Sequence, residues 1–237
     1  MLRYIHYARF TILAACITIP MTAQTTALIR PSTSADAVET RTFPLRSGGT
    51  LEIFNSSGEI RISAWDKDEV ALKADFKSNS GKEHMSLEVH SVSNSLGLIA
   101  KYPEGRSRGR GGLRLASCKM ELKVPNNIII DVNNDIDDIV LENVSGVVTA
   151  STTTGDIRGS IQNIQDNLDM STVVGDIKIK FLTPPNGNLT ATAVTGNMKI
   201  PAGATDAEFN GNSLRAKYGD ESARLSFNTV TGSIDIQ

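Results

Sequence analysis

The feature that most limits what this chain can fold into is a phrase it writes five times. NSSGEIRI, TTTGDIRG, TVVGDIKI, AVTGNMKI and TVTGSIDI centre on Gly58, Gly155, Gly175, Gly196 and Gly232. Seven residues before the glycine stand Leu51, Val148, Leu168, Leu189 and Leu225, and five before it stand Ile53, Ala150, Met170, Ala191 and Phe227. Two after it stand Ile60, Ile157, Ile177, Met198 and Ile234, and four after it Ile62, Gly159, Ile179, Ile200 and Ile236. Only Gly159 departs from an apolar side chain. The apolar slots are odd before the glycine and even after it, whereas side chains along a straight strand alternate with a period of two. The phase must break at the glycine. A corner there, with glycine accepting positive φ, turns both flanking strands onto one core.

The interval from Gly155 to Gly175 is 20 residues and from Gly175 to Gly196 it is 21. Counting 21 back from Gly155 reaches Asn134 in VNNDIDDI, where Asn, tolerant of left-handed backbone, stands in for glycine. The last interval, 36, has room for a loop inserted between Pro201 and Arg224. Short strands and corners at a period near 20 are the signature of a solenoid. One such repeat buries too little apolar surface to offset its chain entropy, and stacking repeats remedies that. Two-residue alternation recurs in IRISAW, VALKADF, MSLEVH and LRLASCKMELKV, and no ten-residue helical stripe is found. The expected fold is therefore all-β, a β-solenoid of short strands with glycine corners. Residues 64–125, with longer strands and no clear repeat, leave room for a local antiparallel layer. A sandwich of hairpins fits less well, because tight hairpins favour Asn-Gly or Asp-Gly and the dipeptides here are Ser-Gly, Thr-Gly and Val-Gly.

The N-terminus reads as an export signal over residues 1–27: Arg3 and Arg9, an apolar run from Phe10 to Met21, then small residues at Ala23 and Ala27 that invite cleavage. Leu13-Ala14-Ala15-Cys16 also resembles a lipobox, so a lipid on Cys16 is the one membrane attachment the sequence offers. Residues 28–41, with Pro31, Ser32, Thr33 and Ser34, read as a linker. An N-terminal β region carrying the first repeat is expected over 42–125, and the repeat solenoid over 126–237. Once the signal is removed Cys118 is the sole cysteine, so no intramolecular disulfide can form, and its place in an apolar alternation makes it a buried residue.

Of 237 residues, 40% are hydrophobic and 21% charged, a composition ordinary for a packed protein. The net charge of -2 conceals an asymmetry: residues 1–125 hold 17 Lys and Arg against 12 Asp and Glu, residues 126–237 hold 7 against 14. No basic stripe suited to nucleic acid emerges.

GGTLEIFNSSGEIRISAWDKDEV, MELKVP and LDMSTVVGDIKI, in that order, resemble the putative-adhesin family of bacterial envelope proteins, domains of unknown function built on G-D-I repeats and similar to head GIN domains. The resemblance runs from Arg41 to Gln237. It implies a β-solenoid in the exported compartment and brings no catalytic residues. Asn134, Gly159 and the long last interval depart from the pattern.

Several constellations could carry chemistry. Asp131, Asn133, Asp135, Asp137 and Glu142 fall at calcium-loop spacing, but Ile136 stands where that loop requires glycine. His84, Glu88 and His90 share one face of a strand, on which even adjacent same-face positions are about 6.6 Å apart, long for a zinc site. Arg106, Arg108, Arg110 and Arg114 lie among glycines in a loop that could meet an anionic partner. Trp65, the only tryptophan, is placed to plug the first turn, and an aromatic content of 5% gives little for a broad sugar-binding face. No triad phrase is present. The expectation is a non-enzymatic, adhesin-like exported protein with no cofactor, periplasmic, surface-bound or secreted, meeting an envelope or extracellular partner that is protein or polysaccharide. The competing class is a lyase-like solenoid enzyme acting on acidic polysaccharide.

Overall fold

The computed structural model describes residues 25–29, 36–78, 85–102, 116–219 and 222–237. Its strands are β1 (Thr25–Ile29), β2 (Asp36–Pro44), β3 (Thr50–Asn55), β4 (Ile60–Trp65), β5 (Glu69–Ser78) and β6 (Ser86–Val92). Then come β7 (Ser95–Lys101), β8 (Ala116–Pro125), β9 (Ile128–Ile136), β10 (Ile139–Thr154), β11 (Ile157–Val174) and β12 (Ile177–Phe181). The last are β13 (Gly187–Thr195), β14 (Met198–Lys199), β15 (Thr205–Asn210), β16 (Ser213–Tyr218), β17 (Ala223–Thr231) and β18 (Ile234–Ile236). The described residues contain no helix, so none is long and apolar enough to cross a membrane.

Each repeat phrase forms a strand, a corner and a second strand. The strands before the corners make one sheet, in the order β1, β6, β7, β3, β9, β10, β11, β17, β13, β16, β15. The strands after the corners make another, in the order β2, β5, β8, β4, β10, β11, β12, β18, β14. β10 and β11 are long enough to serve in both. The middle of each sheet is parallel, as stacked coils require. β1, β6 and β7 on one sheet, and β2, β5 and β8 on the other, supply the antiparallel layer, and the β15–β16 hairpin adds a second at the far end.

The apolar slots of the phrase face a single core between the two sheets. All twenty are buried except Gly159, Met198 and Ile200, which are half-buried. Met198 and Ile200 still pack against that core, but β14 is an edge strand with only β18 beside it.

Gly175 illustrates why the corner residue has no side chain. Its φ is 153°, and a Cβ there would overlap the carbonyl oxygen of Gly155 one coil below. Its own amide hydrogen bonds to Thr231 O at 2.9 Å in the coil above. The glycine corners therefore form a vertical column in which the backbone of one coil lies directly against that of the next.

Two expectations are corrected, and the stacking order adds a third finding. Asn134 is not a corner: the positive φ, 86°, belongs to Asp137, which lies below Gly155, while Asn134 pairs with Thr152. That coil holds 18 residues, so counting 21 overshot by three. The linker expected over 28–41 is strand at both ends of that span: Leu28 and Ile29 pair antiparallel with β6, and Asp36 to Arg41 with β5. The coils also do not stack in chain order. The coil of Gly232 lies between those of Gly175 and Gly196, since β17 pairs with both β11 and β13. The 36-residue interval is the chain leaving β14, building β15 and β16, and returning to fill that vacant rung.

Candidate functional site

Three regions present chemistry: the corner column, the outer face of the second sheet and the outer face of the first. The corner column is held by two polar ladders. Three residues before each corner an inward side chain donates to a corner carbonyl: Thr152 Oγ1 to Asp137 O (3.2 Å), Thr172 Oγ1 to Gly155 O (3.0 Å) and Thr229 Oγ1 to Gly175 O (3.0 Å). Asn134 Nδ2 reaches Gly58 O at 3.1 Å in the same way, and Asn55 Nδ2 reaches Cys118 O at 3.0 Å. Asn55, Asn134, Thr152, Thr172 and Thr229 are all buried, so these donors satisfy carbonyls that water cannot reach.

One residue after the corner the second ladder runs outside. Asp138 accepts the amide of Asp156, Asp156 that of Asp176, and Asp176 that of Ser233, each at 2.9 Å. The Ser233 amide, followed by Lys178, holds the Asp176 carboxyl below its ordinary range. The repeated T-x-x-G-D-I thus spells donor, corner, acceptor and core residue. Its function is architectural.

The outer face of the second sheet is filled with ion pairs. Lys73 meets Glu121 (3.2 Å), Lys119 meets Glu59 (3.1 Å), Arg61 meets Glu142, and Arg158 meets Asp138 (2.7 Å). Trp65 lies on this face, half-buried, and does not plug the core. Its Nε1 donates to Glu69 O, and the ammonium groups of Lys67 and Lys123 stand 4.7 and 5.8 Å from its ring centre. Its odd position in β4, opposite in parity to Ile60 and Ile62, accounts for the outward placement.

The outer face of the first sheet differs. Around β6, β7, β3 and β9 it carries a hollow of about 360 Å³. Register builds it: His90 stands opposite Gly97, Gly97 opposite Glu52, and Glu52 opposite Asp131. In the next row Ile99 lies opposite Phe54 and Phe54 opposite Asn133. Phe54 is 40% exposed, and nearby Ile129 is 42% exposed. Ser151 donates to Asn133 Oδ1 and Asn133 Nδ2 to Asp131 Oδ1, a chain that orients both. The side chains of Glu52 and His90 have no hydrogen bond or ion pair among the described residues.

The candidate residues read from sequence are scattered by the fold. Asp131 and Asn133 lie on the first sheet, Asp137 is at a corner with its Oδ2 accepting the Gly58 amide, and Glu142 is on the second sheet with Arg61. No calcium loop forms from them. Glu88 pairs with Lys101 at 3.0 Å, His90 lines the hollow, and His84 lies outside the described residues. Among the described residues no three His, Cys, Asp or Glu side chains gather as a metal site. Arg106, Arg108, Arg110 and Arg114 also lie outside the described residues. Cys118 is fully buried, and desolvation, with a smaller contribution from Asp75, pushes its thiol up to about 12, far from thiolate chemistry.

The stacked all-β fold is similar to that of known proteins. Residues 121–237 match the family model Toastrack DUF4097. The Toastrack match spans the end of β8 through β18, a shorter stretch than the resemblance from Arg41 onward. The solved structure of a "putative cell adhesion protein" from Clostridium sporogenes is 14% identical, with 84% of this chain and 99% of that one covered and a TM-score of 0.56. At that identity the likeness is one of fold. A "putative adhesin" from Bacteroides fragilis is 12% identical over 88% of this chain and 100% of that one, with a TM-score of 0.28, too low to bear on the fold. No curated protein matches.

Proposed function

We propose that this chain is a non-enzymatic, exported protein of the bacterial cell envelope that meets an envelope or extracellular partner, protein or polysaccharide, through the outer face of its first sheet, in the manner of an adhesin. The observation that carries this reading is the contrast between the two faces. One is neutralised by its own ion pairs, and the other leaves Phe54 and Ile129 exposed beside an unpaired Glu52 and His90. Exposed apolar groups ringed by polar ones mark contact surfaces. The family resemblance and the Toastrack match agree with such a role, and the adhesion names attached to solved neighbours are those proteins' own.

Cosedimentation of the purified protein with isolated cell envelopes tests the reading. Binding that saturates, and that falls when Phe54 is changed to Ala but not when Lys73 is changed to Ala, is expected. Turnover of an acidic polysaccharide that disappears on substitution of a single Arg or Asp would instead establish the lyase-like class.

A further inference from the structure

We infer that the hollow over Gly97 is a binding site for a single sugar ring, neutral or bearing an amino group. The inference rests on the envelope-binding reading above and names the chemistry of that face. It begins with a glycine that the backbone does not need. Of the described glycines, Gly97 alone has neither a positive φ nor a neighbour that an added Cβ would strike. A Cβ there would lie 3.6 Å from His90 Cβ, ordinary contact. Glycine inside a strand weakens it, and where no turn or backbone approach explains it, space above the strand is the remaining use. Within β7 the in-out alternation is unbroken, and Gly97 takes an outward slot on the face that lines the hollow.

The walls specify the occupant. His90 and Glu52 flank Gly97 on neighbouring strands, roughly 10 Å from each other by strand spacing. That gap accommodates one ring rather than a chain. The hollow, about 360 Å³, is at the small end of the roughly 300–1,000 Å³ of small-molecule sites. Phe54 offers a ring to the apolar C–H face of a pyranose, as aromatic side chains with a polar neighbour do at wet interfaces. Glu52, Asp131, Asn133 and His90 supply acceptors and donors for hydroxyl groups, and two of them carry negative charge. No Lys or Arg lines the hollow among the described residues. An ammonium on the sugar gains from the two carboxylates, and a uronic acid is repelled.

The test is a two-dimensional NMR titration of the full exported protein with glucosamine, N-acetylglucosamine and galacturonic acid as separate probes, repeated on Gly97→Leu. Saturable shifts centred on Glu52, Phe54, Gly97 and Asp131 are expected with the first two sugars at millimolar concentration, and none with the third. Gly97→Leu should weaken that binding at least tenfold while its thermal midpoint stays the same or rises. Absence of shifts with all three sugars, unchanged binding by Gly97→Leu, or galacturonic acid binding as well as glucosamine would each overturn the inference. Envelope cosedimentation of the same two proteins separates the claims. Loss of envelope binding in the parent protein defeats the broader reading, whereas binding retained by Gly97→Leu defeats only the sugar site.

Discussion

Thr172 and its equivalents show how single side chains hold this molecule together. A buried corner carbonyl has one lone pair facing the next coil, and a threonine three residues before the corner supplies its donor. Thr172→Val keeps the shape and removes the hydroxyl. It should destabilise by about 1–3 kcal/mol, the cost of an unsatisfied buried carbonyl, measured by urea denaturation. The last coil lacks this rung, because Ala193 stands where the others have Thr or Asn, and Gly232 O has no side-chain donor among the described residues. Ala193→Thr should therefore stabilise by up to about 1 kcal/mol. Gly175→Val, which places a β-branched side chain at φ 153° against Gly155 O, should destabilise by about 3 kcal/mol or more. Lys178→Val, at an exposed outward position, should stay within about 0.5 kcal/mol. Equal shifts of the two midpoints would contradict the corner geometry.

At the scale of elements, parity in the sequence was enough to locate the corners at Gly58, Gly155, Gly175, Gly196 and Gly232, because a period of two cannot change phase without a break. Parity says nothing about which coil lies on which. Intervals of 20, 21 and 36 fit sequential stacking as well as the observed order, and only pairing of β17 with both neighbours distinguishes them. Engineered disulfides can report that order. Ser171 and Asn228 are register partners, so Ser171→Cys with Asn228→Cys should form a disulfide under mild oxidation. Ser171→Cys with Thr192→Cys should not, since two rungs place them roughly 10 Å apart, beyond the ~7 Å limit between Cα atoms. The reverse result would mean that the coils follow chain order. β1 bears on processing in a similar way. Removal of residues through Ala27 would strip three of its five register partners from β6, whereas cleavage after Ala23 leaves all of them. If the chain is exported as proposed, intact mass of the mature protein should therefore correspond to a chain beginning at Gln24. A start at Leu28 would remove β1 from the sheet, and a diacylglyceryl group on Cys16 would show lipid anchoring.

For the whole molecule, the architecture was far more legible than the site. Corners and core slots recur in one phrase, so the pattern is visible along the chain. The hollow gathers Glu52, His90, Gly97 and Asp131 from four strands whose register no local pattern encodes. Gly97, an outward-slot glycine in β7, is not singled out by the sequence reading. The fold also distributes charge by face: ion pairs cross the outer face of the second sheet, while the first leaves Phe54 and Ile129 exposed. The central claim is that one face meets the partner and the other does not. Hydroxyl-radical footprinting of the protein with and without envelope fragments, read by mass spectrometry, addresses it directly. The account predicts that oxidation of Phe54, His90 and Ile129 falls on binding while that of Trp65 is unchanged. Protection of Trp65 with Phe54, His90 and Ile129 unaffected would contradict it.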